Sequence, residues 1–394
     1  MLIEIHVIQN HSPANLNRDD LGAPKTCLFG GVLRSRISSQ CLKRSIRMSD
    51  QFKSLLGGVR TRQLARLITD KLGGNADIKK RAEKVLSACG FKPKQTKKGK
   101  EDEEGERSKM LVYTSREAID EMVKLLQEGG ESTDNVLPAQ FAALISERVA
   151  VPDMALSGRM LEPDKSAKEV WKNHDTTVEA ALQVAHALST HEAHPEVDYY
   201  VAADDIPGED AGAGYVDEAM FGSACFYKYL SIHWETLVEN LKENKDLAAH
   251  TVGALIRSIA LTNPTGKQNS FAAHNPPDGM LIQFSSVPIS YANAFVDPVR
   301  PKGDRAMVSQ SIAQLGHYVH DLDVGYGPPL KRFWFSPNLR FRLTALDEKK
   351  EMDLADENVK SLDDLVRAVI CELGFDWAEV QNEVLKAVVS EEDA

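Results

Sequence analysis

Basic side chains gather where this chain carries no acids. From Arg34 to Arg47 the stretch RSRISSQCLKRSIR holds Arg34, Arg36, Lys43, Arg44 and Arg47 and neither Asp nor Glu. Ser38 and Ser39 are good helix N-caps, and the unpaired backbone N–H groups of a helix start attract phosphate. With Lys43, Arg44 and Arg47 in the turns that follow and Gln40 able to bond sugar or base, the segment has the chemistry of a phosphate-binding helix. Arg18 and Lys25, in the loop before it, are placed to fold over the same site. A solvated helix face would carry the same charges, so the run alone leaves both readings open.

Two further segments could touch a polyanion. In MALSGRM (154–160), Ser157 and Gly158 permit close backbone approach, and Arg159 supplies a fork of donors or a stacking plane. A turn with a surface arginine would look the same. In NPTGKQNSF (263–271), Gly266 lets the chain turn beneath the donors Lys267 and Gln268, an arrangement shared with any hairpin tip. Metal chemistry would have to use His186, His191 and His194 with Asp198, Asp204 and Asp205. On a helix, however, His186 and His191 would lie about 140° apart. Asp19 and Asp20 could form a carboxylate pair, although consecutive side chains diverge and a turn is the simpler reading. No Walker loop, G-x-S-x-G or H-E-x-x-H occurs, which removes three readily recognised hydrolase classes.

The elements that must position these groups follow from the patterning. Residues 2–10 alternate as a strand with one buried face, and a loop rich in Asn, Pro and Asp leads on from it. Gly30-Gly31 marks a turn, and LRSRIS reads as a strand with a basic face. A helix then places Leu42 and Ile46 on one side. From about 60 to 150 the pattern is helical. Residues 177–191, with Val178, Ala181, Leu182, Ala185 and Leu188, fit an amphipathic helix, and the acidic Gly/Pro-dense stretch after it fits a protruding loop or hairpin. ACFYKYLSI and GMLIQFS read as strands, RFWFSPNLRFRL as a strand pair broken at Pro337, and the acidic tail from 346 as helical. This order suggests a β-α-β-β-α-β sheet with large insertions.

The chain of 394 residues, 42% hydrophobic and 27% charged, has ordinary globular composition. Its net charge is −11, which on a whole-chain view argues against binding nucleic acid; the acid-free segment reverses that locally. The five cysteines lie far apart with no C-x-x-C pair, as expected of a protein from a reducing cytoplasm. Neither a leader peptide nor a membrane span is expected. The lysine-rich 92–100 and the acids directly after it cancel and read as a solvated loop.

The blocks IHVIQNHSPANLNRDDLGAPKTCLFGGVLRSRISSQCLKRSIR, DMALSGRM, VAHALSTH, DYYVAADD, GKQNSFAAHNP and PISYANAF resemble, in order across most of residues 1–300, the CasC family. That family is the backbone subunit of the type I-E CRISPR Cascade surveillance complex. The resemblance implies an α+β right hand with a ferredoxin-like, RRM-like palm (1–60, 151–191, 223–345) and inserted helical fingers (61–150). A thumb loop (192–222) and an acidic helical tail (346–394) would complete it. It further implies copies stacked in a helical filament along a guide RNA (crRNA) beside other Cascade subunits, each thumb displacing one base, with the remaining bases free to pair with target DNA. By that carry-over Arg18, Lys25, Ser38, Gln40, Lys43, Arg44 and Arg47 contact guide phosphates and riboses. Ser157, Gly158 and Arg159 line the RNA path, and Lys267 with Gln268 complete it. No cofactor, metal, membrane or catalysis is implied. The alternative is metal-dependent RNA cleavage through Asp19 or Asp20, as in related type III subunits. The fingers lack a dense lysine stripe over 110–147, which puts non-specific clamping of duplex DNA in doubt.

Overall fold

The apolar N-terminal run forms β1 (Leu2–Ala14), a strand buried on both faces rather than one because neighbours flank and cover it on each side. The computed structural model describes residues 1–53, 55–93, 107–129, 136–202, 215–301, 306–347 and 350–380. The chain divides into a sheet unit (Met1–Ser54, Gln183–Trp234, Ala249–Ala394) and an inserted unit (Leu55–Leu182, Glu235–Ala248).

In the sheet unit β1 is followed by β2 (Thr26–Phe29), β3 (Val32–Ile37), β4 (Leu182–Val184), β5 (Ala187–Ser189) and β6 (Glu196–Ala202). Then come β7 (Tyr215–His233), β8 (Gly279–Ser285), β9 (Lys331–Phe335) and β10 (Glu357–Val359). The strand order is β10-β9-β8-β1-β7-β5-β3-β2, with β4 and β6 also on β7. β1 runs antiparallel to β7 (Leu2 opposite His233) and to β8 (Leu2 opposite Ser285), whereas β9 and β10 are parallel. The longer helices are α1 (Ser39–Arg47), α2 (Lys245–Leu261), α3 (Met307–Tyr326) and α4 (Leu362–Glu372), with single turns at Asp50–Lys53 and Gln268–Phe271.

Local chemistry accounts for the parts nearest the basic segment. Gly30 and Gly31, both with positive φ, make the two-residue turn between β2 and β3, where Phe29 faces Val32. Ser38 caps α1 by accepting from the Cys41 N–H at 3.3 Å. A nine-residue helix is marginal alone, so docking decides it. Leu42 and Ile46 are buried, and Leu42 packs against Ile37, Ala187 and Phe226. Each such side chain contributes about 1.5–3 kcal/mol. The opposite sheet face, with Ile8, Cys225, Tyr227 and Trp334, packs on Ile312, Leu315 and Val319 of α3.

Three expectations are corrected. Residues 177–191 are extended, with Thr177–Val178, β4 and β5 in place of a helix. Leu182 and Val184 alternate inward in β4, as Ala187 and Ser189 do in β5, and pairing with β7 and β3 prevails over the helical stripe. The segment 332–343 holds one strand, not two: after β9 the chain loops so that the Phe341 carbonyl accepts the Trp334 indole N–H at 2.8 Å. The tail starts as a hairpin (Thr344–Asp347 with Lys350–Asp353) and β10 before α4, and 381–394 lie outside the described residues. The acidic stretch after 191 forms the antiparallel ladder of β6 with β7, while 203–214 lie outside the described residues.

The inserted unit packs helices Leu64–Lys71, Ala76–Ala88, Arg116–Glu128 and Leu137–Glu147 around one apolar core. A short pair, Gly58–Thr61 with Val112–Ser115, carries their ends. Residues 94–106, with most of the lysine-rich run, lie outside the described residues. Among the described residues no helix is long and apolar enough to cross a membrane.

Candidate nucleic-acid interface

A groove of about 800 Å³ opens on the sheet unit between the loop after β1, the outer side of α1 and the loop after α2. Its walls include Asn17, Arg18, Asp19, Asp20, Cys41, Arg44, Ser45, Asn263, Thr265 and Gly266. Sequence-predicted Arg18 and Arg44 thus line one surface, both exposed. The loop's shape comes from Asp19, whose carboxylate accepts the Leu21 and Ala23 N–H groups at 2.9 Å each. That carboxylate builds a turn. Asp20, beside it, is exposed on the groove wall.

The remaining predicted residues separate into several settings. Ser38 is buried and structural: its oxygen caps α1, and its N–H donates to Asn17 Oδ1 at 2.9 Å, tying helix to groove loop. Gln40 is exposed in the first turn, whereas Arg44 and Arg47 lie in the last turn. The expected pooling of first-turn N–H groups with these arginines is therefore corrected, because the two sets sit toward opposite ends of a helix about 13 Å long. At the C-terminal end the arginines complement the helix dipole. Lys43 and Arg47 are half-buried along it. Lys25 is half-buried in the neighbouring loop, its N–H donating to the Asn17 carbonyl at 2.8 Å.

Lys267 and Gln268 open the single helical turn Gln268–Phe271, directly after the loop that forms the opposite wall. Gln268 Nε2 bonds the Pro264 carbonyl at 2.9 Å, so its amide braces the loop from within. Lys267 and Ala272 both hold left-handed φ (52° and 46°), a costly conformation outside glycine that surrounding structure must impose. The segment is anchored from below at Asn263 and Asn275. Buried Lys228 donates to Gln9 Oε1, while Gln9 Nε2 donates to Asn263 Oδ1 at 2.9 Å. Ser12 N–H and hydroxyl both reach Asn275 Oδ1 at 3.1 Å. Burial lowers the Lys228 ammonium to about 8. At Gly266 the two walls meet, since a Cβ there would stand 2.4 Å from the Leu16 carbonyl oxygen. Gly266→Ala is expected to push the walls apart and lower stability by about 1–3 kcal/mol, read by thermal melting against wild type.

Charge in the sequence is not charge on the surface. Arg34 is fully buried, donating to the Phe29, Ser189, Phe295 and Val296 carbonyls, so the expected basic face of β3 is corrected. Arg36, on the same strand, bonds the Thr26 carbonyl and His186 Nδ1.

In the inserted unit Arg159 is likewise buried, its fork spent on the Ile145 and Asp175 carbonyls. It faces inward rather than toward a surface: the Nη groups meet internal carbonyls, while buried Nε has no partner among the described residues. Gly158, at φ 70°, turns the chain inward there, where a Cβ would meet the Val178 carbonyl oxygen at 2.8 Å. Ser157 is half-buried, donating to the Asp153 carbonyl at 2.6 Å.

The histidines do not converge. His186 accepts from Arg36, and His191 is held between the Glu192 carbonyl and the Cys225 N–H. Asp204 and Asp205 lie outside the described residues, and among the described residues no three His, Cys, Asp or Glu side chains form a metal-holding group.

The family model described as CT1975-like protein matches residues 3–368. The chain belongs to that family. Among solved structures, this CT1975-like chain is similar to one from a "CRISPR RNA-guided surveillance complex, pre-nicking", at 28% identity and a TM-score of 0.79. The match covers 94% of this chain and all of the other. A chain of a "CRISPR RNA-guided surveillance complex" matches at 24% identity and a TM-score of 0.57, over 95% of this chain and all of that one, a likeness of fold. No protein with a curated description matches.

One cation of this CT1975-like chain escaped the sequence reading. Arg60 is exposed on the strand Gly58–Thr61, stacks over Tyr113 and donates to Ser157 Oγ at 2.7 Å. The signal was faint, a lone arginine two residues after Gly57-Gly58 with no basic neighbour but Arg62.

Proposed function

We propose that the chain is the guide-binding backbone subunit of a type I-E Cascade complex. The reading is carried by one observation: the exposed Arg18 and Arg44 share one groove with the polar side chains Asn17, Ser45, Asn263 and Thr265, beside the carboxylates of Asp19, which is spent on its own turn, and Asp20. A protein that accepts any guide must hold phosphate and ribose and ignore base edges, which calls for guanidinium groups and neutral polar donors of the kind that Arg18, Arg44, Asn17 and Asn263 supply. The likeness over the whole length of a chain from a CRISPR RNA-guided surveillance complex supports the same role.

In this reading β8-β1-β7-β5, with α1 and α2 between strands, is the ferredoxin-like palm. The inserted unit is the fingers and the β6–β7 hairpin the thumb. Further copies stack along the crRNA in a filament beside other Cascade subunits in the cytoplasm, and the guide pairs with target DNA. The subunit is a scaffold without catalytic residues, and the role of Asp19 as turn-builder favours this over RNA cleavage.

Arg18→Ala combined with Arg44→Ala is expected to weaken binding to single-stranded RNAs of every sequence alike. Each lost phosphate contact lowers the salt slope by about 0.7, so the pair lowers it by about 1.4. Titrations at several salt concentrations, with RNA integrity followed with and without magnesium, check this. An unchanged slope, a sequence-selective loss, or regularly spaced fragments requiring magnesium and Asp20 would each sink the scaffold reading.

A further inference from the structure

We infer that Arg60, stacked on Tyr113 and bonded to Ser157, is a phosphate-binding residue of the inserted unit for single-stranded RNA; the inference rests on the guide-binding reading above. The residues around Ser157 looked from sequence like part of an RNA path, but the arginine in that segment, Arg159, faces inward. Arg60 occupies the position that Arg159 vacates: it is an exposed guanidinium beside Ser157.

The geometry is that of a preset donor. Arg60 and Tyr113 are opposed across the short strand pair, and the guanidinium carbon lies 4.2 Å above the ring centroid. The ring cannot swing away, because Tyr113 is buried and its hydroxyl donates to Asp153 Oδ2 at 2.8 Å. Asp153 Oδ1 in turn accepts the Gly58 N–H at 2.9 Å, which anchors the strand bearing Arg60. Ser157 uses its own proton on the Asp153 carbonyl, so its oxygen is left to accept from Arg60.

One N–H of the fork is therefore committed, and the plane is held flat against an aromatic face. The other N–H groups have no protein acceptor among the described residues. An arginine usually loses rotamer freedom when it grips a ligand; here folding has already taken most of that freedom. The outward edge presents parallel donors matching two phosphate oxygens.

The test uses the full-length chain, homopolymeric single-stranded RNA and titrations across a salt series. Arg60→Ala is expected to weaken binding about tenfold and reduce the salt slope by about 0.7, with an unchanged circular-dichroism spectrum. Arg60→Lys is expected to restore the slope but only part of the affinity, since a point charge replaces the flat fork. Wild-type affinity and slope in a folded Arg60→Ala variant overturn the inference while leaving the groove reading intact. Loss of affinity at unchanged slope also overturns it, because a residue that only braces the unit releases no counter-ion. Wild-type protein that binds no RNA overturns both readings.

Discussion

Replacing Arg34 by alanine is expected to destabilise the protein by about 3–5 kcal/mol, a large fraction of the margin that ordinarily holds a protein folded. Its guanidinium joins three separate stretches. Nε reaches the Phe29 carbonyl at 3.2 Å, Nη1 the Ser189 carbonyl at 3.1 Å, and Nη2 the Phe295 and Val296 carbonyls at 2.7 and 3.1 Å. Truncation strands these acceptors and leaves a void, two penalties that add. Gly30, in the same corner, is already in close approach: a Cβ there would lie 1.8 Å from the Val296 carbonyl oxygen. Urea titration of Arg34→Ala and Arg34→Lys, monitored by far-ultraviolet circular dichroism, checks the figure. The lysine variant should recover little, since a point charge cannot reach carbonyls in three directions. Loss of less than 1 kcal/mol in either would show the fork to be dispensable.

The second large effect is with acid. His6 and His11 are both buried and both lowered to about 3, His6 by burial and then by Arg332. For His11 the causes are burial and Lys228, opposed by the Ala273 backbone. Tyr227 accepts the Tyr291 N–H and so donates its own proton to His6 Nδ1 at 2.8 Å, which suits a neutral ring. Unfolded histidine binds a proton near 6.5, so between pH 6.5 and 3 the unfolded chain takes up protons that the folded one refuses. Stability therefore falls as pH falls through that window, by about 3 kcal/mol per histidine at pH 4. Chemical denaturation at pH 7, 5.5 and 4 should show this decline, and His11→Leu should remove about half of the histidine-dependent part. A variant with the wild-type pH slope would rule His11 out.

At the alkaline end the sign is the same, and for the same reason. Lys228 loses its proton in the fold at about 8 but in the unfolded chain only near 10.5. Stability rises with pH across that interval as the unfolded chain holds the extra proton.

Much of the fold near the groove was legible from residue types. Ser38 as cap, Leu42 and Ile46 as the buried stripe and Gly30-Gly31 as the hairpin turn are local signals with local causes, and the structure places each as expected. The region 177–191 was not legible, because Val178, Leu182 and Leu188 fit both periods and only the waiting strands β7 and β3 discriminate. For the site, exposure was the missing quantity. Arg18 and Arg44 face a groove while Arg34 and Arg159 face carbonyls, and nothing within a few residues of any of them distinguishes the two fates. Arg60 shows the converse: its setting depends on Tyr113, a residue far along the chain.

The central place of β1 bears on how this protein comes into being. Both of its ladder partners, β7 and β8, follow roughly 230 and 280 residues later. At ribosomal speeds of ~5–20 residues per second, that apolar strand spends on the order of 10–60 s with both edges open. Meanwhile most of the inserted unit, which is contiguous from Leu55 to Leu182, can collapse on its own core. The nascent chain is thus a folded bead trailing an unpaired, sticky strand. Its most vulnerable moments come during translation, when anything that slows elongation between Leu182 and Ser285 prolongs the exposure.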